Sequence, residues 1–349
     1  MSGFKQKTIK TIIRDKLNKL IASVKDEELQ KLMRRDILVT GGCIASMELG
    51  EKVNDYDVYF KTKETAFAAA VYYTKEFCAE RARRGGGEDK VAYEPIVRIE
   101  TARNINGDEE DRVLIYMKSA GVAGMEQKPY EYFETRPPEA TDAFMESLEK
   151  EVDPNEDEGD VQPVEDGGLS LIGGTGADFV EGVVEEVVKA KGAYTPLFLT
   201  DNAITMTDKV QIIIRFYGTA EEIHKNFDFV HCQGVYDYAT NELHLSEATL
   251  KSLLSKQLVY SGSLYPIASV LRLRKFIKRG WNISAGQVLK ILHQISKVNW
   301  DNPDQLREQL MGVDVAYMHQ LIGALNSRDS GQRIDQAYLA GLLDTIFDD

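Results

Sequence analysis

The chain has 349 residues, of which 43% are hydrophobic and 28% charged, and its formal net charge is −14. This composition predicts a globular protein with room for two or three domains, and it disfavours the uniformly basic surface of proteins that bind nucleic acid over a wide area. The sequence has no apolar run as long as a membrane span, no signal-peptide core, and three cysteines without metal-ligand or disulfide spacing. It therefore predicts a cytoplasmic protein without a membrane partner.

The N-terminal residues 1–35 are predicted to form an amphipathic helix, set apart as a first unit of the chain. Apolar side chains recur there at helical spacing, which places them on one face. They are Ile9, Ile12, Ile13, Leu17, Leu20 and Ile21.

A glycine pair follows the apolar run Asp36–Thr40, which predicts a buried strand. Gly41 and Gly42 allow a tight turn and a close backbone approach to a ligand. The next residues, Ile44–Leu49, predict a helix, and the N–H groups at the start of a helix suit phosphate. Ser46 could donate to a phosphate oxygen or serve only as a helix cap. The segment predicts a phosphate-binding turn.

Two carboxylates follow this turn, at Asp55 and Asp57. They alternate on a predicted strand and therefore share one face of it. Two carboxylates beside a phosphate site are the ligands that a pair of Mg²⁺ ions needs to hold a nucleoside triphosphate. An Asp-x-Asp pair is more often only a solvated strand end, so the hypothesis depends on the glycines before it.

Further along, the chain alternates between strand and helix patterns and then becomes helical. A helix is predicted at Lys63–Arg84 and strands at Pro95–Glu100 and Arg112–Met117. Residues 118–192 are rich in Glu, Asp, Pro and Gly, which predicts a flexible acidic insertion. The later predicted elements are strands at Leu197–Thr200 and Lys209–Phe216, a helix at Ala220–Phe227, a strand at Phe227–Asp237, and helices from Ser246 onward.

The order of strand, Gly-Gly, helix and Asp-x-Asp resembles the signature of the DNA polymerase β-like nucleotidyltransferases, with class II CCA-adding enzymes and bacterial poly(A) polymerases the most similar. The residues in those places are Gly41, Gly42, Leu49, Gly50, Asp55 and Asp57. Two later motifs of that family are also matched in order. The first match comprises Asp228, Phe229, Tyr236 and Asp237, and the second comprises Leu271, Arg272, Lys275, Phe276, Gly280 and Trp281.

The resemblance implies an α+β fold, in which a polymerase β-like head with a mixed sheet is followed by an all-helical neck and tail. The head would span residues 36–245, interrupted by the insertion at about 118–192, and the helical part would span 246–349. Asp55 and Asp57 would be the catalytic carboxylates and bind Mg²⁺, two ions if the protein is active. The nucleotide-binding residues would be Gly41, Gly42, Ser46, Arg272 and Lys275.

The chain departs from the family pattern at two functional positions. The base-reading acidic-Asp-x-x-Arg motif of the neck is absent at Leu264–Ala268. At the best position for a third carboxylate stands Gln211, a weaker metal ligand, so Asp228 is the candidate for a third metal ligand. The main basic cluster of the neck comprises Arg272, Arg274, Lys275, Lys278 and Arg279. Positions 272, 275 and 279 share a helical face, which either meets triphosphate or an RNA backbone or is simply solvated.

The sequence thus favours a Mg²⁺-dependent nucleotidyltransferase that moves a nucleoside monophosphate from a triphosphate to a hydroxyl acceptor. The resemblance makes a tRNA-like RNA 3′ end the first candidate acceptor, with protein and small molecules left open. The alternative hypothesis is a catalytically inactive member of the fold that acts as a binding, regulatory or assembly module.

Overall fold

A mixed β-sheet runs through the centre of the computed structural model, which describes residues 3–84, 95–103, 109–116, 122–123, 194–298 and 309. The helices in chain order are α1 (Gln6–Ser23), α2 (Glu27–Asp36), α3 (Gly42–Leu49), α4 (Lys63–Arg84), α5 (Ala220–His224), α6 (Glu247–Ser255), α7 (Pro266–Lys278) and α8 (Ala285–Ile295). The strands are β1 (Ile37–Thr40), β2 (Tyr56–Phe60), β3 (Ile96–Arg103), β4 (Glu109–Tyr116), β5 (Val122–Ala123), β6 (Pro196–Thr200), β7 (Ala203–Met206), β8 (Val210–Tyr217), β9 (Val235–Asp237), β10 (Glu242–His244), β11 (Gln257–Leu258) and β12 (Asn282–Ile283).

The central sheet has the strand order β10-β9-β1-β2-β8-β7-β6-β5 among the described residues. Strands β2 and β8 pair in parallel, and the other neighbours in this sheet pair antiparallel. Strands β3 and β4 form a separate antiparallel pair. The predicted α+β class with a mixed sheet is therefore confirmed.

The two faces of the sheet have different cores because side chains alternate along each strand. Ile37, Val39, Val58 and Phe60 lie in the main core. Helices α1, α2 and α4 also contribute buried side chains to this core, among them Ile13, Leu17, Met33 and Tyr73. On the other face a smaller cluster contains Leu38, Tyr59, Ile223 and Val235. The candidate site belongs to this second face.

The N-terminal segment forms two helices, where the sequence predicts one over residues 1–35. Helix α1 ends at Ser23, and the Asp26 carboxylate accepts hydrogen bonds from the N–H groups of Glu28 (2.9 Å) and Leu29 (3.1 Å). A side chain that caps N–H groups in this way starts a new helix.

The predicted strand at Phe227–Asp237 is wrong in its first half. Phe229 makes only an isolated bridge with Tyr260, and Val230–Cys232 form a short 3₁₀ helix before strand β9 begins at Val235. The bond from the Val230 N–H to the Val259 carbonyl (3.0 Å) takes the chain away from the sheet at this point.

Other differences are smaller. Strand β7 was not predicted, strand β5 lies inside the predicted insertion, and the helical part contains the parallel pair β11–β12. The rest of the predicted insertion and the predicted helices beyond Val298 lie outside the described residues. None of the helices described is both long and apolar enough to cross a membrane.

Candidate active site

The two aspartates of the predicted Asp-x-Asp pair lie at the start of strand β2. Asp57 is in the strand and Asp55 directly precedes it, so the predicted strand begins one residue early. Both are half-buried and alternate with Tyr56, which packs against the main core. Burial, and then the charges of Asp57 and Asp55, raise the pKa of Tyr59 well above its ordinary value. The structure therefore brings both carboxylates to one side of the sheet.

Gly41 is the residue against which the Asp57 carboxylate lies. Its φ is +108°, and a Cβ at this position would be 2.8 Å from Asp57 Oδ2. Both facts require glycine. The Gly41 N–H donates to the Cys232 carbonyl (3.2 Å), so this N–H holds the turn in place and does not face a ligand.

Helix α3 begins at Gly42, beside Asp57. Gly41, at the N-cap position, contributes no side-chain hydrogen bond. Apart from its two chain neighbours and the nearby backbone of helix α3, no described atom lies within 4 Å of the position that a Cβ on Gly42 would occupy. The first turn of a helix carries N–H groups that lack partners within the helix, and the positive end of its dipole favours anions. The arrangement suits a phosphate next to the two carboxylates.

The pKa of the Cys43 thiol is affected by the negative charges of Asp55 and Asp57. The thiol is buried, and burial followed by the charges of Asp57 and Asp55 raises its pKa well above the ordinary value. The thiol is therefore protonated and inert at neutral pH. A cation would be favoured where two carboxylates exert this effect on one group.

Gln211 occupies the position beside Asp57 on the neighbouring strand. The two residues are paired in the register of the parallel strands β2 and β8, which places their side chains on the same face. In the part of the chain that the structure describes, no three His, Cys, Asp or Glu side chains form a group that could hold a metal. Mg²⁺ is commonly bound by one or two carboxylates together with substrate phosphates, and Asp55 and Asp57 fit that donor set.

Asp228, the candidate third ligand, is engaged elsewhere. Its carboxylate accepts a hydrogen bond from Arg272 Nε at 2.6 Å, and the residue is buried. The loop that replaces the predicted strand holds Asp228 against helix α7. The geometry therefore gives this residue a structural partner and no support as a metal ligand.

The basic face of helix α7 is turned toward the head. Arg279 forms an ion pair with Glu51 and lies 3.4 Å from the hydroxyl of buried Ser46. Lys256 pairs with the same carboxylate at 3.2 Å. Burial raises the pKa of Glu51, but the contacts with Arg279 and Lys256 outweigh it and leave the pKa below its ordinary value. Ser46 and Arg279 thus join helix α3 to the neck.

Lys275 lies on the same helical face and is half-buried. Burial and Asp228 raise the pKa of Cys232 to about 12, while the charges of Lys275, Arg279 and Arg272 oppose this shift. The three cations therefore lie around Cys232, whose carbonyl binds the Gly41 N–H. Lys275 is therefore close enough to Cys232 for its charge to act on that thiol.

Trp281 and Arg215 have structural roles. Trp281 is buried, with its ring centroid 4.2 Å from that of His231, so it cannot stack on a nucleotide base. Arg215 is buried and donates to the Tyr265 hydroxyl at 2.5 Å.

Sequence reasoning missed Glu51 and Lys256. Their contact joins positions 205 residues apart, and no local pattern marks either residue. Such a pair is visible only once the chain is folded.

The chain matches a known protein family over much of its length. A family model described as “Gabija anti-defense 2 family protein” matches residues 11–256. A protein named “Gabija anti-defense 2” from Bacillus phage SPbetaL7 is 30% identical over 107 residues, which are 30% of this chain and 27% of that protein. The match thus spans little more than a quarter of this curated relative.

Two solved structures are similar at low levels. One is “tRNA-processing enzyme (apo form I)”, with 12% identity and a TM-score of 0.34 over 97% of this chain and 63% of that chain. The other is “Thermotoga maritima CCA-adding enzyme complexed with tRNA_CCA”, with 11% identity and a TM-score of 0.34 over 94% of this chain and 68% of that chain. At these TM-scores neither likeness supports a conclusion about this chain.

Proposed function

The chain belongs to the Gabija anti-defense 2 family, and we propose that it opposes the Gabija defence by acting as a Mg²⁺-dependent nucleotidyltransferase. In this proposal it moves a nucleoside monophosphate from a nucleoside triphosphate to a hydroxyl acceptor. The observation that carries it is the meeting of Asp55 and Asp57 with the glycine turn at the start of helix α3.

The residues of the site have separate tasks in this reaction. Asp55 and Asp57 hold the metal, and Gly41 leaves room for the Asp57 carboxylate beside the turn. The first turn of helix α3 orients the phosphates through its N–H groups. Lys275 contributes a positive charge from the neck. Arg272 and Arg279 keep helix α7 in place through Asp228 and Glu51.

The bond changes are those of an in-line displacement at phosphorus. The acceptor oxygen forms a bond to the α-phosphorus, the bond from that phosphorus to the pyrophosphate oxygen breaks, and the hydroxyl proton is lost to solvent. When bound, Mg²⁺ supplies a lower pKa for the acceptor hydroxyl and charge stabilisation for the leaving pyrophosphate. We assign the acceptor to an RNA 3′ end, because Lys275 offers a backbone phosphate a cationic contact.

The test combines transfer in vitro with relief of the defence in cells. Wild type and the Asp55→Asn/Asp57→Asn variant are incubated with labelled nucleotides, Mg²⁺ and mixed RNA, and both are expressed in cells that carry Gabija and are challenged with phage. We expect transfer by the variant to fall at least about 100-fold, since the metal ligands are lost, and relief of Gabija to fall with it.

Asp15→Asn is the matched control, because it neutralises an exposed aspartate of helix α1. It should retain both activities. An Asp55→Asn/Asp57→Asn variant that folds normally and still relieves Gabija fully would refute the catalytic proposal.

A second candidate function is supported by Gln211. An amide where a third carboxylate would strengthen metal binding favours a protein that keeps the fold as a binding or assembly module. This candidate predicts Gabija relief without nucleotide transfer, and relief that persists after both aspartates are neutralised. The experiment above separates the two functions.

A further inference from the structure

The turn between strands β7 and β8 has an unfavourable backbone conformation. Asp208 and Lys209 are consecutive residues with φ of 57° and 59°. This left-handed region suits glycine and is tolerated by aspartate, whereas a lysine is strained in it. Strained residues persist only where surrounding contacts hold them, and they concentrate near functional sites.

Lys16 of helix α1 is one of the residues that hold this turn. Its ammonium group donates to the Asp208 carbonyl at 2.7 Å and to Asp208 Oδ2 at 2.6 Å. The hydroxyl of Tyr194 donates to the same carboxylate oxygen at 2.6 Å. The Lys16 side chain is only 12% exposed, whereas that of Asp208 is 58% exposed. Burial lowers the pKa of Lys16, and Asp208 partly offsets this effect.

The Asp208–Lys209 turn is also hydrogen-bonded to the backbone of the candidate site. The Lys209 carbonyl accepts a hydrogen bond of 2.8 Å from the Tyr56 N–H. That N–H belongs to the peptide group between Asp55 and Tyr56. The hydrogen bond therefore fixes the orientation of this peptide group at the start of strand β2, directly after Asp55. Lys16 also lies over the Tyr56 ring, 4.7 Å from its centroid.

A direct role of Lys16 in binding the nucleotide does not fit the geometry. Tyr56, which Lys16 covers, packs against the main core. Asp57 follows Tyr56 in the strand and therefore points to the opposite face. The Lys16 ammonium group is thus on the other side of strand β2 from the carboxylates.

We propose that Lys16 is a positioning residue for Asp55, acting through the Asp208–Lys209 turn and the hydrogen bond from the Tyr56 N–H to the Lys209 carbonyl. The catalytic consequence of positioning Asp55 rests on the proposed function. The structural coupling between Lys16 and the Asp55–Tyr56 peptide does not, and it can be measured separately.

The test compares Lys16→Met with Lys10→Met, the same change at another lysine of helix α1. Hydrogen exchange at the Tyr56 amide reports the coupling whether or not the protein is an enzyme. We expect Lys16→Met to speed this exchange at least about tenfold and Lys10→Met to leave it unchanged. Equal exchange in the two variants would overturn the inference.

Rescue separates an effect through the turn from a general loss of stability. Lys209→Gly relieves the strained φ and keeps the carbonyl that accepts from Tyr56. Added to Lys16→Met, it should restore most of the amide protection. A double variant that exchanges as fast as Lys16→Met would refute the route through the turn. If Lys16→Met does not fold, Asp208→Asn removes the same ion pair at an exposed side chain, and the same outcomes apply.

A functional arm then distinguishes this inference from the proposed function. Lys16→Met should weaken Mn²⁺ binding about tenfold and lower kcat more than it changes KM, because Asp55 is displaced while the phosphate contacts remain. If wild type neither binds Mn²⁺ nor transfers nucleotide, the proposed function fails, and the exchange data alone decide whether Lys16 positions the Asp55–Tyr56 peptide.

Discussion

In the proposed function, metal binding depends on the side chain that lies beside Asp57. Strand β8 places Gln211 in register with Asp57, on the face that carries both aspartates. An amide oxygen is a neutral ligand, so it attracts Mg²⁺ less than a carboxylate in the same position. The proposed metal site therefore has two charged ligands, and one substitution at position 211 would add a third.

We expect Gln211→Asp to tighten Mn²⁺ and Mg²⁺ binding by about tenfold or more, because it adds a carboxylate in register with Asp57. Isothermal titration, and the electron spin resonance signal of Mn²⁺, measure the change. Asn54→Asp is the control, because it adds the same charge next to Asp55 but leaves the position beside Asp57 unchanged. Equal gains in both variants would show that charge alone, and no third ligand position, is responsible.

The buried carboxylate of Asp36 joins helix α2 to the start of helix α4. It accepts hydrogen bonds from Arg35 Nε (2.8 Å), Arg35 Nη2 (2.7 Å), the Thr62 hydroxyl (2.7 Å) and the Thr65 hydroxyl (2.5 Å). Burial raises the pKa of Asp36, but these hydrogen bonds outweigh it and lower the pKa from 3.8 to about 2. The junction is therefore more stable with Asp36 ionised than with Asp36 protonated.

The pH dependence of the free energy of unfolding should reveal the contribution of ionised Asp36. Because the folded pKa is below the unfolded value, the contribution of Asp36 is complete above pH 3.8 and is lost as the pH falls toward 2. From the size of the shift it is about 2 kcal/mol. Urea unfolding between pH 2 and 5 should give a smaller loss of stability for Asp36→Asn than for wild type. Parallel curves would contradict the assignment.

Helix α7 and the residue that follows it are joined to earlier parts of the chain by ion pairs. Asp228 holds Arg272, and Glu51 holds Arg279. The sequence predicts that the basic face of helix α7 either binds phosphate or is solvated. In the structure this face is in large part an internal contact surface. Lys275 lies between these two arginines on helix α7, and it is the cation that the proposed function assigns to phosphate.

At the scale of the whole molecule, the proposed site draws on distant parts of the described chain: Gln211 lies in register with Asp57, and Arg279 contacts Glu51 and Ser46. Metal and nucleotide are expected to bind together there, because each supplies ligands or charge for the other. A ligand that binds only the folded protein stabilises it by mass action.

We expect a nucleoside triphosphate with Mg²⁺ to raise the melting temperature by about 5 °C, and neither alone to do so. Differential scanning fluorimetry with each of the four triphosphates measures this shift and also identifies the preferred base. The Asp55→Asn/Asp57→Asn variant should show no shift. A shift with nucleotide alone, unchanged in that variant, would place binding away from the aspartates.

Much of the fold was predictable where the pattern is local. Helix α4 begins and ends at the predicted residues Lys63 and Arg84, and strand β8 lies within one residue of its prediction. The prediction was wrong around Val230–Cys232, where a bridge to Tyr260 and a bond to Val259 override the strand pattern. Contacts between distant segments decide such loops, and the local sequence does not encode them.

The sequence by itself determined the α+β class, the glycine turn and the alternation of Asp55 with Asp57, because backbone freedom and strand periodicity are properties of neighbouring residues. Only the tertiary structure decided which groups surround them. It set Gln211 beside Asp57, paired Asp228 with Arg272, and linked Lys16 to the Asp55–Tyr56 peptide through the turn at Asp208. These partners come from far along the chain, and they meet because burying the apolar faces of the helices and the sheet fixes which segments are neighbours.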